Sequence, residues 1–189
     1  MISAGLCGIV LAAGAGTRYG GPKALARTAD GRPWLRLAVT TLERAGCGQV
    51  LVAVGAAADA AEQLVPPRAS AVWVREWRTG LAASLRDALD AAAHTAARAA
   101  LVIPVDTPAM PVTVCRRVLD IVPPEPRSLA RAVYAGEPGH PVLLGRDHWD
   151  PISREASGDR GAGGYLRSHG SARIECSDLW DGTDIDEVT

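Results

Sequence analysis

Short runs rich in Val, Ile and Leu alternate along this chain with alanine-rich amphipathic stretches, and that alternation predicts the order of its elements. "LCGIVLA" (residues 6–12) reads as a buried strand, and "PWLRLAVTTLERAG" (33–46) as a helix with proline near its start and Gly46 at its end. "QVLVAVG" (49–55) is a second strand, followed by a helical "ADAAEQLV" (58–65) that Pro66-Pro67 stops. "SAVWV" (70–74) reads as a third, shorter strand. "TGLAASLRDALDAAAHTA" (79–96) then reads as a long helix, because Leu81, Leu85 and Leu89 fall on one face. "AALVIPVD" (99–106) is almost wholly apolar, as a central strand covered on both faces should be, and the helix "MPVTVCRRVLDIV" (110–122) ends at Pro123-Pro124.

Strands alternating with helices imply right-handed βαβ units and a mostly parallel sheet. Beyond about residue 125 the pattern loosens. "SLARAVYAG" (128–136) and "GHPVLLG" (139–145) read as strands, "GDRGAGGYLRSHG" (158–170) as a loop entering a short helix, and "ARIECS" (172–177) as a late strand. The expectation is one α/β domain over residues 1–189, its irregular C-terminal half folded onto an open sheet.

Composition narrows the function. A chain of 189 residues can bury a real core, and at 48% hydrophobic with no phenylalanine it must pack on Leu, Val, Ile and five Trp. The net charge of −1 gives no global pull toward nucleic acid or a membrane surface, so any affinity for phosphate must come from a local site. Cys7, Cys47, Cys115 and Cys176 form no Cys-x-x-Cys pair, which argues against a zinc site; with no signal peptide, they predict reduced thiols in a cytoplasmic protein. The apolar run Gly8–Ala15 is too short to span a bilayer.

The candidate chemistry begins after the first strand, in "GIVLAAGAGTRYGGPKAL" (8–25). Lys23 is the only lysine in a chain with 19 arginines, and it follows a glycine-rich loop. In open parallel sheets ligands sit at the carboxyl ends of the strands, so this loop lies where a ligand would. Gly14 and Gly16 let backbone N–H groups approach an anion. The glycine spacing is one residue too long for G-x-G-x-x-G, and Pro22-Lys23-Ala24 lacks the Ser or Thr of a P-loop. Two readings stay open on these residues: a tight turn with solvated cations, or a phosphate loop in which Arg18 supplies a planar fork and Lys23 a compact charge.

Carboxylates recur at two places. Asp106 closes the apolar fourth strand and is either a helix-capping turn residue or a metal ligand. Asp181, Asp184 and Asp186 lie in "DGTDIDEVT"; if the segment is a strand, Asp184 and Asp186 share a face and one of them can meet Asp106. Oxygen ligands of this kind suit Mg2+ held jointly with substrate phosphates. "WRTGLAASL" (77–85) places Gly80 at a helix start and Ser84 one turn in.

"LAAGAGTRYGGPKAL" resembles the L-A-A-G-x-G-x-R-x-G-x-P-K signature of the MobA-like NTP transferases, closest to the molybdenum cofactor cytidylyltransferases. The resemblance runs from Gly8 to about Asp186. It implies a Rossmann-like three-layer α/β/α fold of the nucleotide-diphospho-sugar transferase type. It also implies a nucleotide site at Leu11, Ala12, Ala13, Gly14, Gly16, Lys23, Gly80, Ser84 and Asp106, with Arg18 and Lys23 stabilising charge on the phosphates. Mg2+ would be held by Asp106 and Asp186, although "DIDEVT" lacks the Thr-Pro of the family ending. "GHPVL" and "GDRGAGGYL" resemble segments of the cytidylyltransferase branch and place His140 and Asp159 on the acceptor side; Arg160 and Gly163 stand where that branch carries Lys and Arg.

The implied reaction moves CMP from CTP onto a phosphate acceptor, molybdopterin, with a transient contact to a molybdoenzyme or its chaperone. GTP or a sugar or alcohol phosphate are alternatives within the fold, and a non-catalytic nucleotide-binding maturation factor is an alternative of another class.

Overall fold

The computed structural model describes residues 3–186 and is built on one seven-stranded sheet of order β3-β2-β1-β4-β6-β5-β7. Its strands are β1 (Ser3–Ala12), β2 (Cys47–Val54), β3 (Ala69–Trp73), β4 (Ala99–Pro104), β5 (Leu129–Tyr134), β6 (Glu137–Gly145) and β7 (Ala172–Glu175). Every neighbouring pair is parallel except those made by β6, which runs antiparallel to both β4 and β5. The C-terminal half is therefore not an irregular layer laid on the sheet, as the loosened pattern suggested. It supplies three of the strands, and the reversal of β6 lets a tight turn join β5 to it where a parallel partner would need a long crossover.

Helices cover both faces. On one side lie α1 (Trp34–Ala45), α2 (Ala58–Glu62) and α4 (Val112–Ile121); on the other lie α3 (Leu81–Ala93), α5 (Trp149–Glu155) and α6 (Gly163–Ser168). The alternation along β1 divides the core between them. Leu6, Val10 and Ala12 pack toward α1 and α4, while Cys7, Ile9 and Leu11 pack toward α3. The leucine stripe of α3 does bury Leu85 and Leu89, with Ala82, Ala88 and Ala92 beside them. Gly46 ends α1 in the left-handed region at φ 107°, its N–H bonded to the carbonyls of Glu43 and Leu42.

Two elements depart from the sequence pattern. α2 stops at Glu62, short of the expected Val65; Leu64 and Val65 instead donate to Ala61 and Glu62 in tight turns, since the residue before Pro66 is driven out of helical geometry. α5 is absent from the pattern because Pro151 interrupts it, yet Trp149 anchors the helix by donating its indole N–H to Leu144 O at 2.9 Å. All four cysteines are buried free thiols. No described helix is long and apolar enough to cross a membrane.

Sheet order positions the site. β1 sits between β2 and β4 with Leu11 level with Pro104, so the chain leaves both strands at the same edge. The loops after β1 and β4, carrying the glycines and Asp106, are thereby neighbours.

Candidate active site

A cleft of about 440 Å3 opens at that edge, with the glycine loop on one wall, the start of α3 on another and Asp106 at the base. Leu11, Ala12, Ala13, Gly14, Gly16, Lys23, Gly80, Ser84, Asp106 and Asp159 all line it. Gly16 has φ +61°, and a Cβ there would stand 2.0 Å from Gly21 O. Its own carbonyl accepts from Gly20 and Gly21 N–H at 2.9 and 3.1 Å, which closes the loop into a hairpin-like bend. Gly14 differs: a Cβ there would meet no protein atom within 4 Å, so its missing side chain leaves room on the cleft side rather than relieving a clash.

The opposite wall is the α3 N-terminus. Gly80, at φ 109°, lets the chain pass so close to Gly158 and Asp159 that a Cβ would lie 2.6 Å from the Asp159 carboxylate. Ala83 N–H is taken by Gly80 O at 3.2 Å, which leaves the Leu81 and Ala82 N–H groups at the start of α3 to suit a phosphate. Ser84 is buried one turn in, on the same wall. Trp77 and Arg78 also line the cleft, with the Arg78 guanidinium 4.3 Å above the Trp77 ring. Both lie in the "WRTGLAASL" segment already singled out, but nothing in their spacing marked them as cleft residues.

Lys23 is the centre of the charge distribution. It opens a short 3-10 turn after Pro22, and its ammonium lies 2.8 Å from Asp106 Oδ2 and 2.8 Å from Asp186 Oδ1. The lysine read from sequence as a phosphate-contacting cation is thus paired, in this state, with both proposed metal ligands. Arg18 is not among the residues that line the cleft; its side chain is largely exposed and meets Asp186 Oδ2 at 3.0 Å. Burial alone would lower the Lys23 pKa, but hydrogen bonds to Asp106 and Asp186 outweigh it and raise the value above the ordinary lysine range. The Lys23 hydrogen bond in turn holds the Asp186 carboxyl below its usual range.

The segment around Asp186 is not a strand, because residues 181–186 have no regular structure. It is held instead by Ile185 N–H donating to Asp106 O at 3.0 Å, which delivers the acidic group to the end of β4. Oxygen atoms of Asp106, Asp184 and Asp186 lie within 4.8 Å of one another. Asp106 Oδ1 is buried without a hydrogen-bond partner. Three clustered carboxylates and an unpartnered buried oxygen make a donor set that fits a hard divalent cation.

His140 lies elsewhere, on β6, lining a separate small cavity with Arg131 and Arg160. Burial pushes its pKa down to about 4, so the ring is neutral at pH 7.

Comparison with known proteins bears on what the cleft handles. A sequence model of the MobA-like NTP transferase domain matches residues 8–173, spanning the glycine loop and Asp106 and ending before Asp184. Nicotine blue oxidoreductase of Paenarthrobacter nicotinovorans is 36% identical over 194 residues, covering 96% of this chain and 92% of that protein. Among solved structures, Rv0371c from Mycobacterium tuberculosis H37Rv has a TM-score of 0.77 at 28% identity, covering 96% of this chain and 93% of that one. A manganese complex of Rv0371c has a TM-score of 0.70 at 26% identity, covering 90% and 86% of the two chains. A nucleotidyl transferase from Methanothermobacter thermautotroptrophicus has a TM-score of 0.79 at 20% identity over 96% of this chain and 92% of its own, a likeness of fold.

Proposed function

The chain belongs to the MobA-like NTP transferase family, and from that premise we propose that it transfers CMP from CTP onto a phosphate acceptor, molybdopterin, with Mg2+ as cofactor. One oxygen of the acceptor phosphate forms a bond to the α-phosphorus of the nucleotide. The bond from that phosphorus to the α–β bridging oxygen breaks, and pyrophosphate leaves with the electron pair. No general base is required, because the acceptor phosphate is already ionised at neutral pH. Such transfers depend on positioning and charge neutralisation more than on covalent chemistry.

The observation that carries this reading is the meeting of Asp186 with Lys23 and Asp106, which line a glycine-walled cleft. Amides of the Gly14–Gly16 loop and the α3 N-terminus hold the phosphates on two walls. Asp106 and Asp186 would hold the cation, which when bound supplies Lewis-acid charge and a template for the phosphates. Lys23, paired with the same two carboxylates, would supply its ammonium to the charge that gathers on the leaving pyrophosphate. The manganese complex of Rv0371c supports a divalent ion in this fold. CTP and molybdopterin are favoured by the "LAAG" and "GHPVL" segments.

The test is pyrophosphate release with each of the four NTPs, with and without Mg2+ and molybdopterin. Release that needs CTP, Mg2+ and molybdopterin together is expected. Release with GTP alone overturns the cytidylyl assignment, and CTP binding without release under any combination overturns catalysis.

One observation favours a second reading. The relative that is 36% identical along nearly the whole chain is named an oxidoreductase. On that reading the cleft holds an electron-carrying nucleotide, for which NADH is the probe, and the chain passes its electrons to an organic dye. It leaves the Asp106–Lys23–Asp186 cluster without a task, which is why transfer is preferred. Loss of absorbance at 340 nm under multiple turnover, with no pyrophosphate released, would reverse the preference.

A further inference from the structure

Strand β5 breaks its own pattern at Arg131. Ala130, Ala132 and Tyr134 pack on the α1 and α4 face while Leu129 packs toward α3, so alternation assigns Arg131 to the α3 face. Its partner across the ladder on β6 is Val142, a core residue of that same face. A guanidinium therefore stands where the pattern calls for an aliphatic side chain.

It is poorly served there. Arg131 Nε is buried with no hydrogen-bond partner, and its Nη2 reaches only Gly139 O, at 3.4 Å. Among the described residues no carboxylate forms an ion pair with it. Its opposite number on β7 is Arg173, a like charge. Burial, then the charges of Arg173 and Arg167, pull the Arg131 pKa below the ordinary arginine value. Buried N–H groups of a cation are costly to leave unpaired, so the position calls for an anion.

A cavity of about 100 Å3 lies against this group, lined by Arg131, His140 and Arg160 on one side and by Leu81, Leu85 and Leu144 on the other. With a water occupying about 30 Å3, that is room for a group the size of a phosphate or carboxylate and little more. It adjoins the nucleotide cleft: Leu11 and Leu81 line both, and Asp159 of the cleft is the chain neighbour of Arg160. His140, neutral at pH 7, adds hydrogen-bonding capacity and no charge.

We propose that this cavity is a subsite for one oxyanionic group of the acceptor substrate, phosphate or carboxylate, bound by Arg131 and Arg160 and separate from the nucleotide triphosphate. Arginine suits the task, because its fork donates in parallel to two oxygens of one anion. That the anion belongs to an acceptor rests on the transferase reading; that the cavity binds an anion does not.

The test titrates inorganic phosphate, and in a second arm acetate, into the protein at constant ionic strength. The cleft is filled with Mg2+ and α,β-methylene CTP, and binding is followed by calorimetry. One phosphate per chain is expected in the wild type. Arg131→Met should weaken it by roughly 10- to 100-fold, the worth of a charge-assisted hydrogen bond, while the affinity for the CTP analogue stays within about twofold. Acetate binding more tightly than phosphate would assign the subsite to a carboxylate. Should Arg131→Met fail to fold, Arg160→Met, a change at an exposed side chain, decides the matter by the same loss. Unchanged phosphate affinity in the folded variant, or no binding to the wild type, overturns the proposal. Failure of the CTP analogue to bind counts against the cytidylyl assignment instead, and the phosphate titration without nucleotide still decides the cavity.

Discussion

Lys23 and Asp106 meet at 2.8 Å although 83 residues separate them, and the same ammonium holds Asp186 from 163 residues away. A single point charge thus ties the loop after β1 to the end of β4 and to the C-terminal acidic segment. Lys23→Met is expected to lower kcat/KM by about 10²–10³, the usual cost of removing one preorganised donor to a developing charge. It should also bind Mn2+ more tightly than the wild type when nucleotide is absent, because the ammonium competes for the same oxygens. Electron paramagnetic resonance of free Mn2+ reads the second effect. Equal or weaker Mn2+ binding would mean that the lysine and the ion do not share a site. Lys23→Arg should be nearly as inactive, since a wider planar fork does not replace a compact point charge that turns between two carboxylates and a phosphate.

The acidic cluster offers two candidates for the second metal ligand. Asp186 is the one paired with Lys23 and Arg18, whereas Asp184 is exposed. Asp106→Asn and Asp186→Asn are expected to reduce kcat by about 10²–10³, with Asp184→Asn within about tenfold of wild type. Pyrophosphate release at saturating Mg2+ measures all three, and a reversed order for positions 184 and 186 would hand the ligand role to Asp184.

Gly14 and Gly16 should respond differently to alanine. At Gly16 a Cβ collides with Gly21 O in a backbone of positive φ, so Gly16→Ala should cost about 1–3 kcal/mol of stability as well as nucleotide affinity. At Gly14 the added methyl meets nothing in the protein. Gly14→Ala should leave the melting temperature nearly unchanged and raise the KM for nucleotide. Thermal unfolding beside initial-rate kinetics separates the two, and equal melting losses would refute the distinction.

Glu175 yields a pH prediction away from the site. Its carboxylate accepts from the Ser177 hydroxyl and N–H and from Gly136 and Ala135 N–H, and these bonds pull its pKa down to about 2. A depressed carboxyl contributes stability that is fully present above the unfolded value near 4.5 and is lost as pH falls toward about 2. The melting-temperature advantage of wild type over Glu175→Gln should therefore be flat from pH 5 to 8 and shrink below about 4.5. An advantage that grew on acidification would contradict this sign.

What could be read from the residues followed the range of the interactions involved. β1, the glycine loop and Asp106 announce themselves locally, through an apolar run, two glycines and a carboxylate at a strand end. Parallel order then brings the two loops together, and that too follows from the alternation of strands and helices. The reversal of β6 was not legible, since an apolar segment looks the same in either direction. α5 was hidden by Pro151, which sits in its first turn, where proline costs nothing. The partners of Lys23 and the isolation of Arg131 lie beyond any local pattern. Both depend on which side chains the finished sheet places opposite them. Asp186 was named for the right neighbour by the wrong route, since an irregular segment tied by one backbone bond to Asp106 delivers it, not a strand.

That tie bears on what a shortened chain can do. All seven strands are complete by Glu175, and the glycine loop, α3 and Asp106 precede it. A released chain truncated anywhere between Glu175 and Asp186 therefore keeps every strand and the residues that line the nucleotide cleft but lacks Asp186. Folding and chemical competence are separated along the polypeptide by about ten residues, so an incomplete product should still take up nucleotide while being unable to turn it over.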